Sequence, residues 1–152
     1  MTKEELKIKL AEILPAAIIE DGNEWVELTI EPTDWLPFAS HLRNADSLHF
    51  DFLFCLTCID WKTHLTMVYH LRSTNFLHNI VVKAKLNRDK PEIESVSQIW
   101  RTAEFHEREV YEMFGVDFLN HPDLRLLILP DGWEGKNPLR KDFEDPVNMI
   151  RL

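Results

Sequence analysis

Cys55 and Cys58, in the stretch LFCLTCIDW, have the spacing of a zinc half-site or a dithiol redox pair. Local geometry opposes that use. The residues from Leu48 to Ile59 are β-prone, and in a strand two residues three apart point to opposite faces, with Cα atoms about 10 Å apart. A disulfide needs Cα atoms within about 7 Å, and metal ligands must converge on one point. The sequence contains no second CxxC, and its 7 histidines are scattered without ligand spacing. The pair therefore reads as two structural thiols, with a thiol or metal enzyme using Cys55 and Cys58 as the weaker alternative.

The stretch EREVYEMFG, Glu107 to Gly115, raises a different question. At about 100° per residue, Val96, Ile99, Trp100, Ala103, Glu107, Val110 and Phe114 form one apolar stripe with Glu107 near its centre. A buried carboxylate must find a cation and hydrogen bonds or else hold a proton. If instead the helix breaks near Ala103, the phase shifts and Glu107 is solvated. Glu104, Arg108 and Glu112 lie to one side at i, i+4 spacing and are expected to pair in solvent. Glu109 belongs to the same charged run.

Downstream, HPDLRLLILPDGWEGKNPLRKDF offers Arg125 and Arg140 as planar two-bond partners for Glu107, Asp123 or Asp142. His121 is held extended by Pro122, and a histidine beside an Asp is more often a structural hydrogen-bonder than a catalyst. No Ser/His/Asp order, phosphate-cradling glycine loop or HExxH is present, so no active site assembles. A dehydrogenase acting alone is not expected, because nothing here binds a dinucleotide.

The elements that must position these groups follow from periodicity. Thr2 to Glu5 is a capping-box start, and Leu6, Leu10, Ile13 and Leu14 recur at helical spacing. Ala16 to Glu20 and Glu24 to Ile30 read as a hairpin about Asp21-Gly22-Asn23. Pro32-Thr33-Asp34 opens a second helix carrying Trp35, Phe38 and Leu42. Three alternating runs then make an antiparallel meander with core residues Leu48, Phe50, Phe52, Phe54 and Leu56; Leu65, Met67, Tyr69 and Leu71; and Phe76, His78, Ile80, Val82, Ala84 and Leu86. Ser95 to Gly115 returns to helical spacing. The expectation is a two-layer α+β domain over residues 1–120, its mostly antiparallel sheet covered by helices, followed over 121–152 by a Pro-rich extended tail. The segment from Val116 to Pro146 holds four of the 8 prolines yet is rich in Leu, Ile and Phe, and the apolar run Leu126 to Leu129 wants cover on both sides. Either the domain folds the segment back on itself or another protein supplies the second face, and a partner protein is the expected cover.

At 152 residues the chain suits one domain, and it is 45% hydrophobic and 28% charged. Its net charge of −9, with no basic run, argues against nucleic acid and against direct binding to anionic lipid. No window approaches 18 uninterrupted apolar residues, and MTKEELKIKLAEIL lacks a signal peptide's apolar centre, so a cytosolic protein held at a membrane only through other chains is expected.

The segment EREVYEMFGVDFLNHPDLRLLILPDGWEGKNPLRKDF resembles the motif of the C subunit of respiratory complex I, the 30 kDa subunit of NADH-quinone oxidoreductase. The motif spans about Phe105 to Phe143, and FDFLFCLTCIDW and SVSQIWRTAEF resemble the same family's body. The resemblance carries over onto Glu107, Arg108, Glu109, Glu112, His121, Pro122, Asp123, Arg125, Trp133, Arg140, Lys141 and Asp142 as structural and partner-interface residues. Asn120 stands where the family has Gly, and Asn also enters positive φ. Leu126 replaces a second Arg, and Phe143-Glu144 replaces Tyr-Pro.

What the resemblance implies is a peripheral-arm subunit on the cytoplasmic side of the inner membrane. It would bind no cofactor itself and pack against the quinone-site D subunit, near the B subunit that carries the terminal iron-sulfur cluster. The assembly around it would use NADH, FMN, iron-sulfur clusters and quinone, and would couple electron transfer to proton translocation. A homologous subunit of a membrane-bound hydrogenase or another quinone-reducing complex is the nearest alternative.

Overall fold

The computed structural model describes residues 2–145. Helix α1 (Lys3–Ile13) starts at the predicted capping box, with the Thr2 side chain accepting from the Glu5 amide and the Glu5 side chain accepting from the Thr2 amide. Strands β1 (Ile18–Asp21) and β2 (Val26–Ile30) pair antiparallel as the predicted hairpin. A 3-10 turn at Pro32–Asp34 leads into α2 (Trp35–Asn44), and β3 (Phe52–Asp60), β4 (His64–Ser73) and β5 (His78–Asn87) form the antiparallel meander.

The sheet order is β1-β2-β5-β4-β3. Its one parallel pairing, β2 with β5, closes the N-terminal hairpin onto the meander, so the sheet is mostly antiparallel as expected. Periodicity could not reveal that closure, because either orientation presents the same alternation of side chains.

One apolar cluster joins Leu6 and Leu10 of α1, Trp35, Phe38 and Leu42 of α2, and Leu28, Met67, Tyr69 and Val82 of the sheet. Val68 and Val81 are buried outside that cluster, and beside them Trp25, Phe54 and His70 make edge-on and tilted ring contacts at 5.7–5.9 Å. Helices therefore cover one face while an aromatic group half-covers the other.

Three expectations are corrected. The register of β3 shifts between Leu53 and Cys55, which makes Phe54 an extra residue and reverses the alternation. Leu48 and Phe50 are buried as expected, but Phe52 is 43% exposed and the buried set becomes Leu53, Leu56 and Cys58. Phe76 lies in the β4–β5 turn and is exposed rather than core. The predicted helix over Ser95 to Gly115 is α3 at Ala103–Phe114 only, preceded by turns.

Two three-residue strands, β6 (Glu92–Glu94) and β7 (Asp117–Leu119), pair in parallel on either side of α3 in sequence and bury Ile93 and Phe118. They are too short for periodicity to show. From Asn120 to Asp145 the described chain has no helix or strand, and residues 146–152 of the expected tail lie outside the described residues.

Trp35 is fully buried against Phe38, Tyr69 and Trp100, with ring centroids 4.6–6.4 Å away. Trp35→Ala is expected to lower unfolding free energy by about 3–5 kcal/mol in urea denaturation, since the cavity would be lined by rigid rings.

Candidate partner interface

The structure fastens the segment after β7 to α3. Of Glu104, Arg108 and Glu112, which share one side of the helix, Arg108 and Glu112 turn to that segment and Glu104 meets it through its backbone carbonyl, instead of the three pairing in solvent as the sequence suggested. His121 Nδ1 accepts from the Asp123 amide at 3.0 Å, which leaves the Nε2 proton to donate to the Glu104 carbonyl at 2.9 Å. Arg108, 6% exposed, donates from Nε to the Arg125 carbonyl at 3.1 Å and from Nη2 to the Leu126 carbonyl at 2.6 Å. Glu112, 1% exposed, accepts from the amides of Leu127, Ile128 and Leu129 at 2.9–3.2 Å. Arg108 thus takes two successive carbonyls of the coil, and Glu112 the next three amides.

The end of α3 is tied down in turn. Gly115 turns the chain at φ +79°, a conformation that favours glycine, and a Cβ there would lie 2.6 Å from Asn137 Nδ2, so the Asn137 side chain would have to move. The Leu139 amide donates to the Met113 carbonyl at 3.1 Å, while Arg140 Nε donates to the Phe114 carbonyl at 2.6 Å. These bonds satisfy carbonyls that a helix terminus leaves without partners. Arg140 also donates to the Arg88 carbonyl at 3.2 Å.

A second anchor was not visible in the sequence. Asp60, at the end of β3 and 4% exposed, receives a two-bond fork from Arg88 at 2.9 Å, together with the amides of Lys62 and Lys141. The Arg88 fork holds the Asp60 carboxyl well below the usual carboxylate range, with the two backbone bonds adding to it against the cost of burial. Arg88 also pairs with Asp142 at 3.0 Å. Nothing in local spacing joins residues 60, 88 and 142, so only the tertiary structure reveals this group.

Glu107 is fully buried, as its place on the apolar stripe implied, but no arginine meets it. Its Oε2 accepts from the Val96 amide at 3.2 Å, and its Oε1 lies 2.8 Å from Ser95 Oγ. Ser95 Oγ also lies 2.9 Å from Ser97 Oγ and accepts from the Ser97 amide. The Ser95 and Ser97 hydroxyls and the Glu107 carboxyl thus form one buried chain in which Glu107 meets no cation. Burial pushes the Glu107 carboxyl up to about 8, against the pull of the Ser95 and Val96 bonds.

Of the two expected arginines, Arg125 pairs with Asp123, one of its expected carboxylates, at 2.9–3.0 Å on the surface, whereas Arg140 meets no carboxylate and holds backbone carbonyls. Trp133 lies tilted against Phe143 with ring centroids 6.3 Å apart, and Lys136 Nζ is 4.7 Å from the Trp133 ring centre. Lys141 contributes its amide to Asp60, Pro122 is exposed, and Glu109 lines a small groove with Phe105 and Leu127. Asn120 adopts φ +63°, as expected for a residue in a position suited to Gly.

With its backbone held, this segment still turns apolar side chains outward. Ile128 is 63% exposed, Leu139 54% and Leu127 39%, beside Phe105 of α3 at 56%. Cys55 and Cys58 are both free; Cys58 is buried, and burial pushes its thiol up to about 12, which makes it a poor nucleophile. Among the described residues no group of three or more His, Cys, Asp or Glu could hold a metal.

Residues 28–147 match the family described as respiratory-chain NADH dehydrogenase, 30 Kd subunit. The C/D subunit of NADH-quinone oxidoreductase from Phocaeicola vulgatus is 52% identical over 113 residues, covering 73% of this chain. This chain spans only 22% of that protein's length. The C subunit of NADH-quinone oxidoreductase from Chlorobium phaeobacteroides is 39% identical over 129 residues, covering 82% of this chain and 77% of its own. Among solved structures, a chain of the membrane-bound sulfane sulfur reductase, an archaeal respiratory membrane complex, superposes with TM-score 0.82 at 27% identity, over 93% of this chain and 85% of that one.

Two outcomes are expected. Glu112→Ala leaves the amides of Leu127, Ile128 and Leu129 without their acceptor, so their hydrogen exchange should speed up at least about tenfold and stability should fall by about 2 kcal/mol. For Glu107, the folded carboxyl titrates near 8 and the unfolded one near 4.5, so the folded state keeps an extra proton between those values. Its contribution is whole below that window and is lost as pH rises through it. From pH 5 to 8.5 the native chain should lose stability relative to Glu107→Gln, by a few kcal/mol, as read from the denaturation midpoints of the two proteins.

Proposed function

Because the chain belongs to the 30 kDa subunit family of respiratory-chain NADH dehydrogenases, we propose that it is a peripheral-arm scaffold of an NADH-quinone oxidoreductase and docks its quinone-site subunit. The observation that carries this reading is the strap after β7. Arg108 and Glu112 consume its backbone hydrogen bonds, while Leu127, Ile128 and Leu139 remain outward. A monomer gains nothing from fixing apolar side chains in water, but a docking surface gains pre-organisation, because little ordering entropy remains to be lost on binding.

The partner reading is supported by the Phocaeicola vulgatus relative, whose name joins C and D in one polypeptide. The quinone-site D subunit is accordingly the first neighbour, with the B subunit next to it. The chain itself carries no redox group in this role. NADH, FMN, iron-sulfur clusters and quinone belong to the assembly, and proton translocation is the assembly's property. No helix among the described residues is long and apolar enough to cross a membrane, so attachment on the cytoplasmic side would run through the other subunits.

The superposition on a sulfane sulfur reductase chain supports a second reading, in which the same scaffold serves a related respiratory membrane complex with a different electron donor or acceptor. The docking role is common to both. The polypeptides that co-purify with the chain in mild detergent separate them: NADH-oxidising subunits in the first case, none in the second.

Ile128→Asp, alone or with Leu127→Ser, places polar groups on the proposed surface without touching a backbone bond. Recovery of the quinone-site subunit with the tagged chain should fall at least about tenfold, while the variant's thermal unfolding stays within about 2 °C of the parent's. Undiminished recovery would remove this surface from the interface.

A further inference from the structure

Seven arginines lie among the described residues, and five spend their guanidinium groups on a side-chain partner or on two backbone carbonyls. Arg72 donates to Asn79, Arg88 pairs with Asp60 and Asp142, Arg125 pairs with Asp123, and Arg108 and Arg140 hold backbone carbonyls. The remaining two, Arg43 near the end of α2 and Arg101 in the turns before α3, line one cleft of about 410 Å³. Arg43 spends Nη1 on the Asp51 carbonyl at 2.8 Å and has no carboxylate partner among the described residues. Arg101 is exposed, and its side chain makes no hydrogen bond or ion pair among the described residues.

The cleft's single acid offsets one of the two charges at most. Asp51 is held by the Thr74 amide at 2.9 Å and by Thr74 Oγ1 at 2.5 Å rather than by either guanidinium. Gln98, also on the wall, is exposed, and its side-chain amide is unbonded among the described residues. Phe52, turned outward by the bulge at Phe54, lends the wall an apolar surface 43% open to solvent. In a chain of net charge −9, a cleft with two guanidinium groups that lack a carboxylate partner among the described residues, one carboxylate, a free amide and an exposed ring keeps a net positive charge.

We propose that this cleft receives an acidic segment of a neighbouring polypeptide, its carboxylate meeting Arg43 and Arg101 and an adjoining apolar side chain lying on Phe52. Guanidinium forks match carboxylates in planar two-bond geometry, and the ring supplies the desolvated contact that an exposed ion pair lacks. Thr102 lines both this cleft and the groove beside Leu127 and Phe105, so the two surfaces are continuous. The choice of a polypeptide over a free anion rests on the docking role proposed above. An anionic membrane is the poorer fit, because the rest of the chain is acidic.

The test is an amide-resonance titration of the full chain with acetyl-Glu-Leu-Glu-amide, with its Gln-Leu-Gln counterpart and with inorganic phosphate. The acidic peptide should shift Gln98, Arg101 and Phe52 selectively and saturably. Gln-Leu-Gln should leave them in place, phosphate should bind more weakly, and Arg101→Gln should weaken peptide binding about fivefold. Equal binding of phosphate and peptide, indifference to Arg101→Gln, or no localised shift would each overturn the proposal. None of these results depends on the quinone-site subunit, so they are read separately from the co-purification of the Ile128 variant.

Discussion

A coil running over a protein surface has no ladder to take up its peptide groups, and here one helix supplies the substitute. Arg108 and Glu112, four residues apart on α3, hold two carbonyls and three amides of residues 125–129 in succession. The arrangement works because guanidinium is only a donor and carboxylate only an acceptor, so each takes the matching half of a peptide backbone. Both side chains lose solvent in the process, and the multiple bonds to each charged group offset that cost. The exposed positions of Leu127 and Ile128 follow from this grip.

The remainder of the structure gives the grip something rigid to stand on. Glu107, on another side of the same helix, reaches Ser95 and the Val96 amide and so locks the turns before α3 to the helix itself. Trp100 donates its indole N–H to the Phe50 carbonyl, tying those turns to the entry of β3. At the other end, Asp60 and Arg88 join the ends of β3 and β5 to residues 141 and 142. A segment without secondary structure is thereby referenced to the sheet at both ends.

A rigid body with a fastened apolar strap suits a protein whose work is to position neighbours. Placing the strap's side chains on backbone already held by the chain's own helix removes ordering cost from assembly. The basic cleft at Arg43 and Arg101 adds directionality to an otherwise apolar contact, since charge placement discriminates partners more than it adds affinity. The two surfaces meet at Thr102, between the sheet and α3.

The sequence by itself determined the order of the main helices and strands, most of the apolar core and which local turns the backbone takes. The capping box at Thr2, the hairpin about Gly22, the meander and the burial of Glu107 were legible because they depend on periodicity or on local turn chemistry, and the positive φ of Asn120 followed from the resemblance to a family with Gly there. Tertiary structure alone decided what the buried groups meet. The bulge at Phe54 reversed the alternation of β3, the parallel contact of β2 with β5 closed the sheet, and Glu112 and Arg108 turned from solvent to the chain's own coil. Partners such as Asp60 and Arg88, or Glu112 and Leu127, are set by chain paths between them, and side-chain spacing within one element holds no record of those paths.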